Sequence, residues 1–281
     1  MDMSLDLALG ATHCELAGPE SGPWVLLLHG GTVPMWCWDD IAAALQAAGF
    51  RTLRYDMYGK GGSAMPPPSV HALYDRAFFQ RQLRDVLAAV GAPEKLHVVG
   101  FSFGGVTAAN FALAHPEKVL SLSLIAPAYH SARSNTLVKV ARLPLVGRSL
   151  VKRLVLGKGA QRAALLWQGH HQAQRYGELF AQQVVQEGFV PAMAAFLRSD
   201  ALDSYASTFA ALGQRRQAAL LFYGSRDEDV PSTDMQQLRQ LMPDVTYQEL
   251  PGISHGVPFQ ASQLVAAPLI DYMKRQAQLS V

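Results

Sequence analysis

The sequence predicts an α/β protein: a mostly parallel sheet flanked by helices, with a helical segment inserted late in the chain. Three observations carry this. Short apolar, β-branched runs alternate with longer helical patterns, which is the signature of βα units. One such run, Leu96-His97-Val98-Val99-Gly100, leads straight into Gly100-Phe101-Ser102-Phe103-Gly104 and then into a helix-forming stretch. Finally, the alternation stops between Tyr129 and Leu212, where only helical patterns remain, broken by Pro144, Gly147, Gly157, Gly169, Gly188 and Pro191.

In chain order, Leu5–Ala17 reads as one or two antiparallel edge strands. Trp24–Leu28 and Arg51–Tyr55 read as short strands. Trp38–Ala48 and Val70–Val90 read as helices, the latter separated from the second strand by the rigid loop at Pro66-Pro67-Pro68. Leu96–Gly100 is the next strand and Phe103–Ala114 the next helix, followed by a strand over Val119–Ile125. Beyond the inserted segment come strands over Ala218–Tyr223 and Val245–Leu250, alternating with helices over Ser232–Met242 and Gln260–Gln276. Residues 1–128 and 213–281 are therefore expected to form the core domain, with 129–212 a helical cap over the carboxyl ends of the strands, where open α/β sheets hold ligands.

The chain has 281 residues, of which 49% are hydrophobic and 16% charged; that suits one large folded domain with an insertion and argues against disorder. A net charge of +2 gives no reason to expect nucleic acid. The charge is unevenly spread: from Tyr129 to Gly177 there is no Asp or Glu, while several Arg and Lys lie there. Two cysteines, Cys14 and Cys37, have no metal-ligand spacing and read as buried thiols of a reducing compartment. Met1–Leu9 has no basic region ahead of an apolar one and is not read as a signal peptide. No apolar run approaches the roughly 20 residues of a spanning helix. The expectation is a cytoplasmic protein without stable membrane insertion.

The strand–turn–helix around Ser102 is the context of a nucleophile elbow. Such a turn lifts its serine into a strained conformation where strand and helix nearly touch, so Gly100 and Gly104 must lack side chains. A serine needs a base in reach and a group to orient that base. Two loops after later strands can supply them. One is Gly224-Ser225-Arg226-Asp227-Glu228-Asp229-Val230-Pro231; the other is Pro251-Gly252-Ile253-Ser254-His255-Gly256. His255 is chosen as base for its place in a Gly-flanked loop beyond the last strand. Asp227 is chosen as the acid because it comes early in its loop, ahead of Asp229 and Glu228. The oxyanion donors are expected to be the backbone N–H groups of Phe103, directly after the serine, and of Gly31 in His29-Gly30-Gly31-Thr32. His170 and His171 are adjacent and cannot share one helix face, and no other pair has ligand spacing, so neither metal nor cofactor is expected.

With these residues in hand the chain resembles the α/β-hydrolase superfamily over nearly its whole length. The resemblance rests on His29-Gly30-Gly31, on Tyr55-Asp56-Met57-Tyr58-Gly59-Lys60-Gly61-Gly62-Ser63, on Gly100 to Gly105, on Gly224 to Pro231 and on Gly252 to His255. It implies an eight-stranded sheet, a Ser102-His255-Asp227 triad and no cofactor. Two departures stand out: Ser254 precedes His255 where Gly is frequent, and Lys60 stands where His or Arg is more usual. Asp56 reads as structural. Members with an aspartate nucleophile are set aside by Ser102.

Together these residues predict a serine hydrolase acting on small carboxylic esters of medium, mostly apolar acyl groups through an acyl-enzyme. The alternatives are a carbon–carbon bond hydrolase of ring-cleavage products with the same triad, a thioesterase, and, last, a non-catalytic ligand-binding protein. Trp36, Trp38, Phe103, Trp167 and Phe196 are available to line an apolar pocket. The basic stretch Thr136–Leu156 reads as a cap with a solvated basic face, with peripheral lipid contact as the second reading. Acyl length, alcohol moiety and oligomeric state are not legible.

Overall fold

In the computed structural model of the chain, eight strands among the described residues form one sheet in the order β1-β2-β4-β3-β5-β6-β7-β8. The structure describes residues 1–69, 73–130, 138–139, 153 and 159–279. The strands are β1 (Asp2–Leu7), β2 (Gly10–Ala17), β3 (Trp24–Leu28), β4 (Arg51–Tyr55), β5 (Leu96–Phe101), β6 (Val119–Ile125), β7 (Ala219–Gly224) and β8 (Val245–Leu250). The edge segment expected over Leu5–Ala17 is the antiparallel hairpin β1–β2, whose second strand joins β4 antiparallel; every other pairing is parallel. β5 and β7 are buried along their full length, as continuous apolar runs in a sheet covered on both faces should be.

The α-helices that flank the sheet include α1 (Asp39–Ala47), α2 (Arg76–Ala89), α3 (Phe103–Ala114), α4 (Ala160–Leu166), α5 (Ala173–Val184), α6 (Phe189–Arg198), α7 (Ala206–Gln214), α8 (Ser232–Leu241), α9 (Val257–Gln260) and α10 (Ser262–Leu279). α2 starts six residues later than expected. Asp75 caps it by accepting from Phe78 N–H at 2.8 Å, and Tyr74 before it has φ 54°. The expected beginning of that helix, at 70–72, lies outside the described residues. α3 runs through the centre, buried on nearly every side because its residues are small: Gly104, Gly105, Ala108, Ala109 and Ala112.

Register places the functional loops. Leu28 of β3 pairs with Gly100 of β5, Phe101 with Ile125 of β6, Ile125 with Phe222 of β7, and Gly224 with Leu250 of β8. The carboxyl ends of five strands are thus level, so the loops after them meet at one edge of the sheet. The chain also switches direction there, with β4 on one side of β3 and β5 on the other, which is where ligand crevices form.

α4 to α7 all fall between β6 and β7. The expected boundary at 212/213 falls inside α7, which packs on α3 and α8 of the core. Most of the basic stretch Thr136–Leu156 lies outside the described residues. Trp36, Trp38 and Trp167 do not line the pocket as expected. Trp36 stacks on Tyr176 at 5.1 Å, meets Trp167 edge-on at 5.5 Å and touches Phe259 at 5.7 Å. These large rings cement α5 to the core, and Trp38 is buried completely. Among the described residues no helix is long and apolar enough to cross a membrane.

The β4–α2 turn is fastened by Asp56. Its carboxylate accepts from Met35 N–H and Gly62 N–H, both at 2.8 Å, and meets His13 Nδ1 at 2.9 Å. In the same turn Lys60 is buried, and its Nζ finds no hydrogen-bond partner among the described residues. It lies 5.0 Å above the ring of Phe196, and burial pushes its pKa down to about 7. The folded pKa lies below the unfolded value, so stability is lost as pH falls from about 10.5 through 7. At roughly 1.4 kcal/mol per unit of pKa, the ammonium costs the fold a few kcal/mol near neutrality. Lys60→Met, which keeps the apolar stem, should therefore raise Tm at pH 7. Calorimetry across pH should show that gain shrinking towards pH 10.

Candidate active site

Ser102 sits between β5 and α3 with φ 53° and ψ −117°, a left-handed conformation that only a constrained turn holds. Its N–H donates to Ile125 O at 2.9 Å and its carbonyl accepts from Ala128 N–H at 3.1 Å, so the end of β6 pins the turn from both sides. The two glycines are needed as expected. A Cβ on Gly100 would stand 2.2 Å from Gly104 O, and one on Gly104 would stand 2.0 Å from Leu28 O. Backbone fills both places, so no side chain can be accommodated.

The three residues chosen for the triad form one hydrogen-bonded chain. His255 Nε2 is 3.0 Å from Ser102 Oγ, and His255 Nδ1 is 2.7 Å from Asp227 Oδ2. Asp227 Oδ1 accepts from Asp229 N–H at 2.9 Å and Val230 N–H at 2.8 Å. With Nδ1–H donated to the carboxylate, the Nε2 lone pair faces the serine. Both His255 and Asp227 are buried. Burial pushes the His255 pKa down, but the charge of Asp227 and its hydrogen bond outweigh that, and the net shift is upward. Asp229, the rival acid, points elsewhere and pairs with Arg162 of α4.

Gly31 and Phe103 lie side by side: a Cβ on Gly31 would be 3.6 Å from Phe103 Cβ and 3.2 Å from the Phe196 ring. Phe103 is the first residue of α3, so its N–H has no acceptor within the helix. His29 sets the direction of the Gly31 N–H, a role the sequence did not signal. Met57 N–H donates to His29 Nε2 at 2.8 Å, so Nδ1 carries the ring proton and donates to Gly30 O at 2.7 Å. That carbonyl and the Gly31 N–H belong to one trans peptide group, so holding one aims the other the opposite way. Burial lowers the His29 pKa to about 4 and keeps the ring neutral.

Ser102, His255, Gly31 and Phe103 open into a cavity of about 280 Å³. Its walls are apolar: Val33, Leu166, Phe180, Met193, Phe196, Leu197 and Leu202, most of them from α4 to α6. Of the aromatics expected to line it, Phe103 and Phe196 do. A second, polar groove of about 500 Å³ lies on the other side of His255, with Arg226, Glu228, Ser254 and Gln260 on its walls. Arg162, Leu166, Asp229 and His255 border both.

One trio among the described residues, Asp40, His170 and His171, brings potential metal-ligand atoms within 4.8 Å of one another. The two histidines lie in a turn, so the helix-face argument does not separate them; their rings are 4.3 Å apart. Gln172 N–H donates to His170 Nδ1 at 3.0 Å, which places the ring proton on Nε2, and Nε2–H donates to Asp40 Oδ2 at 2.9 Å. Both nitrogens of His170 are thereby occupied, and its bond to Asp40 fastens the α4–α5 turn to α1.

A family profile for the alpha/beta hydrolase fold matches residues 23–262. The chain belongs to this family and is a hydrolase of that fold. It is 30% identical over 271 residues to the pimeloyl-[acyl-carrier protein] methyl ester esterase of Chromobacterium violaceum, covering 91% of this chain and 96% of the relative. It is 29% identical over 270 residues to the putative carbamate hydrolase RutD of Variovorax paradoxus, covering 94% and 96%. The crystal structure of the enol-lactonase from Burkholderia xenovorans superposes with a TM-score of 0.75 at 18% identity, covering 97% of this chain and 100% of that one.

The site's electrostatics are testable without any substrate. Asp227→Asn removes the charge that opposes burial, so an NMR titration of His255 should show its pKa falling below the ordinary 6.5. Asp229→Asn should move it far less.

Proposed function

We propose that the protein is a serine hydrolase of carboxylic esters whose acyl group is of medium length and mostly apolar. The observation that carries this reading is the Ser102–His255–Asp227 chain opening into an apolar cavity beside two backbone N–H groups. The relative named as a methyl ester esterase supports the ester class.

In this mechanism Ser102 Oγ attacks the ester carbonyl as its proton passes to His255 Nε2. The imidazolium that forms is stabilised by Asp227, which stays ionised. Negative charge on the carbonyl oxygen is held by the N–H groups of Phe103 and Gly31. Collapse of the tetrahedral intermediate expels the alkoxide, which takes the proton from His255 Nε2. A water then gives its proton to the same nitrogen and attacks the acyl-enzyme; collapse releases the acid, and Ser102 Oγ takes the proton back from His255 Nε2. The inserted helices over 129–212 act as the cap that shapes the acyl cavity, and no metal or cofactor takes part. The two buried free thiols Cys14 and Cys37 support a reducing, cytoplasmic setting.

Initial rates on a chain-length series of p-nitrophenyl esters test the reading. Turnover should peak at a medium acyl length, and Ser102→Ala should lower it by roughly four to six orders of magnitude. Near-wild-type turnover in the variant would refute the mechanism. Absence of turnover on every ester, with turnover of a ring-cleavage dienone, would replace the ester by a carbon–carbon bond.

His255 must be neutral to accept the proton, and its pKa is raised. The kcat/KM profile should therefore fall on the acid side through a pKa above 6.5, and that limb should move to lower pH in Asp227→Asn.

A further inference from the structure

Gln260 ends α9, outside the Ser102–His255–Asp227 chain, yet its carboxamide is engaged at both ends. Oε1 accepts from Ser254 N–H and from Ser254 Oγ–H, each at 3.0 Å. Nε2 donates to Leu165 O at 3.0 Å and to Leu166 O at 3.2 Å. The orientation of the amide is not ambiguous: a backbone N–H can only donate and carbonyls can only accept. Leu165 and Leu166 are the last residues of α4, so their carbonyls point past its end, where that of Leu165 also accepts from Gln168 N–H at 3.4 Å. Ser254 directly precedes His255.

A second contact joins the same two bodies. A Cβ on Gly256 would stand 2.0 Å from Leu166 O, so the residue after His255 touches the end of α4 through bare backbone. The segment 254–256 is thus enclosed between the Gln260 amide and the carboxyl end of α4. That helix also contributes Ala163 and Leu166 to the wall of the apolar cavity and pairs Arg162 with Asp229.

We propose that Gln260 is a positioning residue that couples the seating of α4 to the placement of His255, so that closing the acyl cavity and aligning the base are one event. The catalytic consequence rests on the ester-hydrolase reading; the mechanical coupling does not. When α4 is seated, its last carbonyls hold the Gln260 amide, and the amide oxygen holds Ser254 and therefore the backbone of His255. When α4 lifts, the amide loses its acceptors and the His255 loop loses the backbone wall against Gly256. A base displaced by about 1 Å costs on the order of a hundredfold in rate.

Two substitutions separate the halves of this bridge. Q260L keeps the approximate shape and loses all four hydrogen bonds. Q260E keeps an acceptor facing Ser254 but sets a carboxylate oxygen against the Leu165 and Leu166 carbonyls. Hydrogen exchange read by mass spectrometry reports local opening. Exchange should quicken in both 160–166 and 253–256 for Q260L, and in 160–166 alone for Q260E. Kinetics on p-nitrophenyl acetate and octanoate should show the same division. Q260L should lose about 10- to 100-fold in kcat on both esters. Q260E should recover kcat on the acetate to within about threefold while KM for the octanoate rises about fivefold.

A Q260L kcat within about twofold of wild type would overturn the proposal. So would identical exchange and kinetics in the two variants, which would mean simple packing. If Q260L does not fold, the Q260E pattern decides alone: quickened exchange in 253–256 as well as 160–166, or no rise in octanoate KM, refutes the coupling. If the wild-type enzyme turns over no ester, the ester reading fails while the exchange patterns still decide the mechanical coupling.

Discussion

The whole site depends on one backbone contact. α3 approaches β3 and β5 so closely that the carbonyls of Leu28 and Gly104 occupy the places where side chains of Gly104 and Gly100 would begin. This contact forces Ser102 into its left-handed conformation and points the first turn of α3 at the same point as its hydroxyl. The level ends of β3, β5, β6, β7 and β8 then bring the remaining groups within reach. A strained residue persists only where surrounding structure over-determines it. Here the end of β6 does so, by accepting from the Ser102 N–H and, just past the strand, donating to its carbonyl.

Around this point, burial acts in the same direction on every enclosed histidine, and the neighbours decide the outcome. His29 and His97 are both buried, and burial takes each to about 4, in His29 against the opposing charge of Asp56. Enclosure opposes His255 in the same way, yet the Asp227 carboxylate at 2.7 Å reverses the sign. One residue type thus stands in two states: a neutral ring that holds the Gly30 carbonyl, and a ring whose pKa a neighbouring carboxylate raises. Lys60 shows the opposite case, an ammonium enclosed against an aromatic face with no ion-pair partner among the described residues, and its pKa falls accordingly.

The central strands β3, β5, β6 and β7 were legible because each is a short, largely apolar run, too short for a helix and bounded by turn residues. The meeting of Ser102, His255 and Asp227 in one hydrogen-bonded chain was legible because an elbow constrains spacing locally and the other two follow later strands in a set order. Helix boundaries were less so: the start of α2 is set by the Asp75 cap and the strained Tyr74, which compete with the apolar periodicity further upstream. The tryptophans were misplaced because size and apolarity suit a pocket wall and an interior seam equally well, and only tertiary contacts choose between them. His29 and Gln260 had no signal, since each acts through hydrogen bonds to backbone groups far away in sequence.

This difference has a physical origin. The machinery is specified by the close-packed core, where backbone atoms about 2 Å away exclude even a methyl group. The cavity wall comes from α4 to α6, where Met193, Leu197 and Leu166 are interchangeable in kind with many other aliphatic residues. The Ser102–His255–Asp227 geometry is therefore written in positions that tolerate almost nothing, and the shape of the cavity in positions that tolerate much. The two are not independent, because the α4 end that walls the cavity also bears on the backbone of Gly256, the residue after His255. A change in the inserted helices that reshapes the apolar cavity must either preserve that contact or move His255 with it.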